Sequence, residues 1–163
     1  MKRTFLIVLL VVSNLYCFAQ KTTFTQAIEY NDYIVGYINE VDQAYLNSLA
    51  VGQGKEYCMA WTDSLSKITT RNLKILKMVA PFEGEKSFIS SANGFIKYMN
   101  TISKKSLKDF DKLLFADNLT TSMTKKMNDI AKKLDSDYIK YFDKIDIAQK
   151  DLSVKYGFSI EGQ

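Results

Sequence analysis

Carboxylates are the first candidates for chemistry in this sequence, because the 163-residue chain contains no histidine. The lack of histidine excludes Ser-His-Asp and Cys-His catalysis, imidazole zinc sites and the Glu-x-x-His pairs of di-iron bundles. Glu29 and Asp32 lie three residues apart, close enough on a helix for acid–base catalysis or for one hard cation. Such pairs arise by chance among 18 acidic residues, and helix N-termini favour acids in any case. We therefore predict no catalytic residue, no metal site and no cofactor.

Two other sets of motifs are interpreted as a turn and as solvated charge. The segment 51–55 (VGQGK) looks like a phosphate-binding loop, but Leu49 occupies the position of a required glycine, so a turn is predicted. Lysines near residues 104–112 and 125–133 alternate with aspartates, which argues against nucleic-acid binding. Two aspartate pairs lack the glycine and the distal glutamate of a calcium loop and are interpreted as solvated charge: Asp109 with Asp111, and Asp135 with Asp137.

Cysteine usage predicts one free thiol in the folded chain. Of the two cysteines, Cys17 lies in the N-terminal leader described below, so Cys58 remains alone and no internal disulfide is expected. Cys58 is in phase with Trp61 and Leu65, a pattern typical of a buried apolar residue. The alternative is an intermolecular disulfide or a reactive thiol.

Two asparagines, Asn31 and Asn72, interrupt otherwise apolar stripes and predict a polar layer inside the fold. If the first helical hairpin turns near Gly52, the two asparagines fall within about two residues of the same level. We expect this layer to fix the helix register, as buried asparagine does in coiled coils, with a ligand site as the alternative. Reflection through the later turns brings further members to this level: Asn93, Gly94 and Tyr141.

Three tyrosines form a predicted contact patch. Tyr30, Tyr33 and Tyr37 recur at three- and four-residue steps in a chain that contains ten tyrosines and ten phenylalanines. Tyrosine is typical of contact surfaces, because it buries area with little entropy loss and keeps a hydroxyl group for hydrogen bonding. The alternative is that this helix has a wide apolar face.

The first 19 residues match a secretory signal. Two basic residues precede an apolar run over residues 5–12, and Cys17 and Ala19 place small side chains at the two positions that the peptidase recognises. We predict cleavage after Ala19 and a mature N-terminus at Gln20, which lowers the formal net charge from +4 to +2. The alternative is a lipid anchor on Cys17, which the bulky Tyr16 before it disfavours. We expect no transmembrane segment in the mature chain.

Four apolar stripes follow the leader and define the elements that position these residues. Apolar side chains recur every three or four residues in four segments: 24–49, 58–79, 88–114 and 123–152. Turns at Gly52–Gly54 and Pro81–Gly84 separate the first three, and the polar segment 103–108 leaves room for a break in the third. Short connections make neighbouring helices antiparallel. The sequence therefore predicts an all-α, up-down-up-down antiparallel four-helix bundle, as a single domain over residues 20–163.

Two short segments, residues 27–35 (AIEYNDYIV) and 155–158 (KYGF), resemble a bacterial family of small secreted or lipid-anchored helical surface proteins of uncharacterised function. The resemblance implies an all-helical, envelope-associated protein and carries over no catalytic residue. Tyr16 before Cys17 departs from the lipid-anchored members, which argues against an anchor here.

Together these features predict an exported, non-enzymatic helical protein, periplasmic or extracellular, that acts through contacts with an unknown envelope or surface partner. We expect a monomer or a weak oligomer. The alternative function is a carrier that holds a small apolar ligand in the bundle core, since cavities between bundle helices accommodate such molecules.

Overall fold

The computed structural model describes residues 21–160, which fold mainly into α-helices. This part of the chain has five helices and no β-strand, so the predicted all-α class is confirmed. The helices are α1 (Ala27–Ser48), α2 (Lys55–Leu76), α3 (Ser87–Lys104), α4 (Ser106–Leu114) and α5 (Thr121–Tyr156). The predicted leader and its cleavage site after Ala19 lie outside the described residues.

Two short links join the first three helices where the sequence predicts turns. Between α1 and α2 lies the 3-10 turn Val51–Gln53, after which Gly54 adopts a φ of 90°, a conformation that residues with a Cβ rarely adopt. Between α2 and α3, Pro81 precedes a second 3-10 turn, Phe82–Gly84. Because both links are short, each helix folds back on the one before it, and α2 packs against both α1 and α3.

The third predicted helix is divided in two, so the described chain has five helices where the sequence predicts four. Lys105, with φ −135° and ψ −70°, leaves the helical region between the end of α3 and the start of α4. On an unbroken helix, Ile102 and Leu107 would point about 140° apart. The break allows both side chains to be buried.

The longest helix, α5, spans 36 residues and packs against α1, α3 and α4. Two side-chain hydrogen bonds join it to α1: Gln149 Nε2 donates to Asn31 Oδ1 (2.9 Å), and Tyr138 Oη donates to Asp42 Oδ1 (2.7 Å). Later residues of α1 meet earlier residues of α5, so these two helices run antiparallel. The helix ends as the sequence predicts, at Gly157, whose φ of 70° is left-handed.

The helix α3 lies at the centre of the hydrophobic core and contacts each of the other four helices. The other helices each turn apolar residues toward it, such as Ile34 of α1, Leu65 of α2 and Leu152 of α5. Among residues 21–160 there is no helix with the combination of length and hydropathy that crossing a bilayer would need. The fully buried apolar side chains of α3 are Phe88, Ala92, Phe95, Ile96 and Met99.

Candidate functional site

A cleft of about 420 Å³ opens between α2, α4 and the segment that follows α4. Its volume falls within the range of sites that hold small molecules. Met59 of α2 and Phe115 and Ala116 after α4 form apolar walls, and Thr62 and Asp111 supply polar groups. We call this feature the Asp111 cleft.

Asp111 buries its carboxyl group in this cleft and is only 3% exposed. Within the described chain its one hydrogen-bond donor is Thr62, whose Oγ1 lies 3.1 Å from Asp111 Oδ2. Burial raises the pKa of Asp111, and the hydrogen bond from Thr62 opposes that rise. Asp111 is therefore not solvated charge, which corrects the interpretation from sequence. It lies one turn after the buried Leu107, on the inner face of α4.

Charged side chains surround the mouth of the cleft. Lys108 Nζ of α4 lies 2.8 Å from Asp63 Oδ1 of α2, so an ion pair spans the two helices. The hydrogen bond and the charge of Lys108 lower the pKa of Asp63. Both side chains are about half exposed, so this pair contributes little to stability. Lys55, Lys112 and Asp117 also line the cleft, so the exposed charges beyond the ion pair are positive on balance.

Cys58 lies one helical turn before Thr62 and is fully buried. Within residues 21–160 its thiol is free. Burial raises the pKa of Cys58, and the negative charge of Asp111 raises it further. Both effects hold the thiol protonated, which is the opposite of what a nucleophilic cysteine requires.

The acidic pair Glu29 and Asp32 lies on the surface of α1, and the two carboxylates have different partners. Glu29 Oε2 accepts from Thr25 Oγ1 (3.3 Å), and Asp32 Oδ1 accepts from Asn31 Nδ2 (3.0 Å). In the described part of the chain, no three Cys, Asp or Glu side chains lie close enough together to hold a metal ion.

Asn31 and Asn72 are both buried, but they lie at different levels of the fold. Asn31 bonds to Gln149 of α5, whereas Asn72 Nδ2 donates to Glu40 Oε2 (2.9 Å) and to Tyr37 O (3.5 Å) of α1. These partners lie six and nine residues from Asn31, about 9–14 Å along the helix. The predicted register assumed that the chain reverses symmetrically at Gly52. The link between α1 and α2 instead contains a 3-10 turn, and α2 is shifted along α1 relative to that prediction. The prediction that the two asparagines meet is wrong.

The other predicted members of the layer are also separate. Asn93 Nδ2 donates to Ile89 O of its own helix (2.9 Å). The ring of Tyr141 stacks on Tyr98, with the centroids 4.7 Å apart, and its Cε1 lies 3.7 Å from where a Cβ on Gly94 would be. Of the predicted layer, the structure therefore contains the contact between Gly94 of α3 and Tyr141 of α5.

The predicted tyrosine patch is divided between the core and the surface. Tyr30 is fully buried, with its ring 5.6 Å from that of Phe24 and 6.0 Å from that of Phe82, and burial raises its pKa to about 12. Tyr33 and Tyr37 are half-buried and bond to each other, Tyr37 Oη to Tyr33 Oη, at 3.3 Å. Tyr30 is therefore core, which favours the alternative of a wide apolar face on α1.

The Asp111 cleft was missed from the sequence, although a signal for it was present. Asp111 lies between Leu107 and Leu114 at steps of four and three residues, and Thr62 lies between Cys58 and Leu65 at the same steps. Both are polar interruptions of apolar stripes, the same pattern that singled out the two asparagines.

The different partners of Asn31 and Asn72 predict the outcome of three double-mutant cycles. Alanine substitutions should couple by about 0.5–3 kcal/mol between Asn31 and Gln149 and between Asn72 and Glu40, because each pair shares a part-buried hydrogen bond. The cycle between Asn31 and Asn72 is the control and should be additive within about 0.5 kcal/mol. Urea unfolding measures all three. Strong coupling between the two asparagines would contradict the observed register.

Burial of Asp111 predicts that the difference in stability between the natural chain and an Asp111→Asn variant depends on pH. Well below the unfolded pKa of about 3.9 the carboxyl is neutral in both states and its burial costs little. As the pH rises through the raised folded pKa, the folded state has to bury a charge, and stability is lost. Asp111→Asn should therefore stabilise the protein by about 1–3 kcal/mol at pH 7 and by progressively less toward pH 4.

The matched control for this experiment is Asp109→Asn, on the same helix but outside the cleft lining. Urea unfolding of both variants across this pH range measures the difference. A destabilised Asp111→Asn variant at neutral pH, or a pH-independent difference, would show that the Asp111 charge is well accommodated in the folded protein.

Comparison with protein-family models, with curated proteins and with solved structures finds no match to this chain. The resemblance to small secreted surface proteins stays a prediction, and function is inferred from the chemistry of the Asp111 cleft.

Proposed function

We propose that this chain is an exported, non-enzymatic up-down-up-down bundle, with the third of its four predicted helices divided into α3 and α4, and that it binds a small organic cation with an apolar body. The observation that carries the proposal is a buried carboxyl, Asp111, in a cleft of about 420 Å³ with the neutral hydroxyl of Thr62 as its donor. The sequence left a carrier of a small apolar ligand as the alternative, and this proposal modifies it by adding a cationic group to the ligand. The proposed binding site lies between α2 and α4, whereas the sequence-based alternative placed it in the bundle core.

A ligand ammonium group complements Asp111 because an ionised carboxylate that leaves water loses solvation that a neutral donor replaces only in part. Thr62 bonds to Oδ2, which leaves acceptor capacity on Oδ1 for a charge-assisted hydrogen bond from the ligand. Met59 and Phe115 would then cover the apolar body of the ligand.

The lysines at the mouth of the cleft favour a ligand with one positive charge over a ligand with two. Asp63 pairs with Lys108, and of the other exposed charged residues in the lining the two lysines, Lys55 and Lys112, outnumber the one carboxylate, Asp117. A monoamine keeps its ammonium group at Asp111 and its apolar end near the mouth, whereas a diamine places a second cation among these lysines.

Thr62 and Asp111 resemble a nucleophile and its base, since the hydroxyl donates to the carboxylate at 3.1 Å. Within residues 21–160, however, Thr62 is the one side-chain hydrogen-bond partner of Asp111, so the third group that orients a catalytic base is missing. Burial also keeps the neighbouring Cys58 protonated. These features favour binding over catalysis.

Calorimetric titration at pH 7 with three probes tests the ligand class. We expect n-octylammonium to bind more tightly than its neutral analogue 1-octanol, and more tightly than the dication of 1,8-diaminooctane. Asp111→Asn should weaken n-octylammonium binding by about tenfold or more, because the charge-assisted bond is lost, while Asp109→Asn should leave it unchanged. Equal binding of amine and alcohol, or full binding to Asp111→Asn, would rule out this site.

Export is tested by the intact mass of the protein recovered from the cell envelope and medium. A mass that begins at Gln20 is expected, because Cys17 and Ala19 satisfy the small-residue rule of signal cleavage. A mass with acyl chains on Cys17 would instead make this a lipid-anchored protein.

The interaction role predicted from the sequence is the second candidate function. The tyrosine patch no longer supports it, since Tyr30 is buried. It is favoured by apolar side chains that α5 exposes to solvent, such as Ile147 and Val154.

A further inference from the structure

The outer surface of α5 carries a row of exposed apolar side chains interrupted by two charges. Ile139, Ile147 and Val154 are 51%, 62% and 75% exposed, the three highest values among the large exposed apolar side chains of residues 21–160. Asp143 and Lys150, both exposed, lie between them. The five residues follow one another at steps of four, four, three and four residues, and we call them the α5 outer row.

The α5 outer row faces directly away from the core. At about 100° per residue its members fall within an arc of about 80° on the helix surface. The buried residues of α5, among them Ile145, Ala148 and Leu152, centre on the opposite side. The row therefore has no partner within the described chain. Neither Asp143 nor Lys150 forms an ion pair among residues 21–160.

The α5 outer row is complementary to itself when one copy is reversed. Read along the chain it runs apolar, acidic, apolar, basic, apolar, and the reversed order is apolar, basic, apolar, acidic, apolar. Two antiparallel copies would place Ile139 against Val154 of the second copy, and Asp143 against Lys150. A two-fold axis would then pass beside Ile147, so that each charge pair occurs twice, as an isologous interface requires.

We propose that a second copy of this chain docks on the α5 outer row and forms an antiparallel, two-fold symmetric α5–α5 contact. A parallel pairing in register would set Asp143 against Asp143 and Lys150 against Lys150, which like-charge repulsion disfavours. A membrane surface is a poorer occupant, because interfacial helices present an apolar face that is not crossed by an acidic side chain.

The dimer is weak and forms at high protein concentration. The row spans 16 residues, about 22 Å of helix, and this contact alone is smaller than the roughly 800 Å² per partner of a stable interface. It is independent of the proposed ligand binding, since none of its five residues lines the Asp111 cleft.

Sedimentation velocity of the exported chain from Gln20, up to millimolar concentration, tests the contact by charge exchange. Asp143→Lys sets lysine against Lys150 of the second copy, and Lys150→Asp sets aspartate against Asp143. Each single variant should dimerise about tenfold or more weakly than the natural chain. An equimolar mixture of the two should form heterodimers, because every facing pair is then of opposite charge. The double variant should regain self-association within about threefold of the natural chain.

The control is Asp151→Lys, which makes the same charge change at an exposed position next to Lys150 but off the row. It should dimerise like the natural chain. The proposal is overturned if the natural chain remains a monomer throughout, if the single variants dimerise normally, or if the mixture stays monomeric. Because misfolded variants would not recover on mixing, restored heterodimers also show that both variants fold.

Discussion

Burial of α3 is the constraint on which the rest of the structure depends. This helix contacts all four others, and Phe88, Phe95 and Met99 along its length are fully removed from water. A helix with apolar residues on so much of its surface has to be enclosed on several sides. The helices α1, α2 and α5 supply the cover, and each uses one apolar face to do so.

The Asp111 cleft follows from the way in which α3 ends. The polar segment after Ile102 offers no further apolar face to enclose, and Lys105 breaks the helix there. The short α4 buries Leu107 and carries Asp111 toward α2. Its nine residues contact α2, α3 and α5 without filling the space beside them. A buried carboxyl at this position costs stability that a purely apolar side chain would not, and such local costs are typical of functional sites.

Polar contacts between helices specify the register that apolar packing leaves open. Asn31 with Gln149 and Asp42 with Tyr138 set α5 against α1, and Asn72 with Glu40 sets α2 against α1. Each contact pairs part-buried polar groups, and a shifted register would separate them. Three buried phenol groups of the described chain, on Tyr30, Tyr98 and Tyr156, have no hydrogen-bond partner, so their rings contribute through aromatic packing.

The sequence by itself determined the helical class, the turns near Gly54 and Pro81, the end of α5 at Gly157 and the segment in which the third predicted helix divides into α3 and α4. These features are local, because they depend on a 3.6-residue period and on residues that stop a helix within one turn. Tertiary structure alone decided that Asn31 meets Gln149, that Tyr30 is core and that Asp111 is buried beside Thr62. Each of these depends on the shape of a link, and one residue more or less in a link rotates the next helix by about 100° and shifts it by about 1.5 Å.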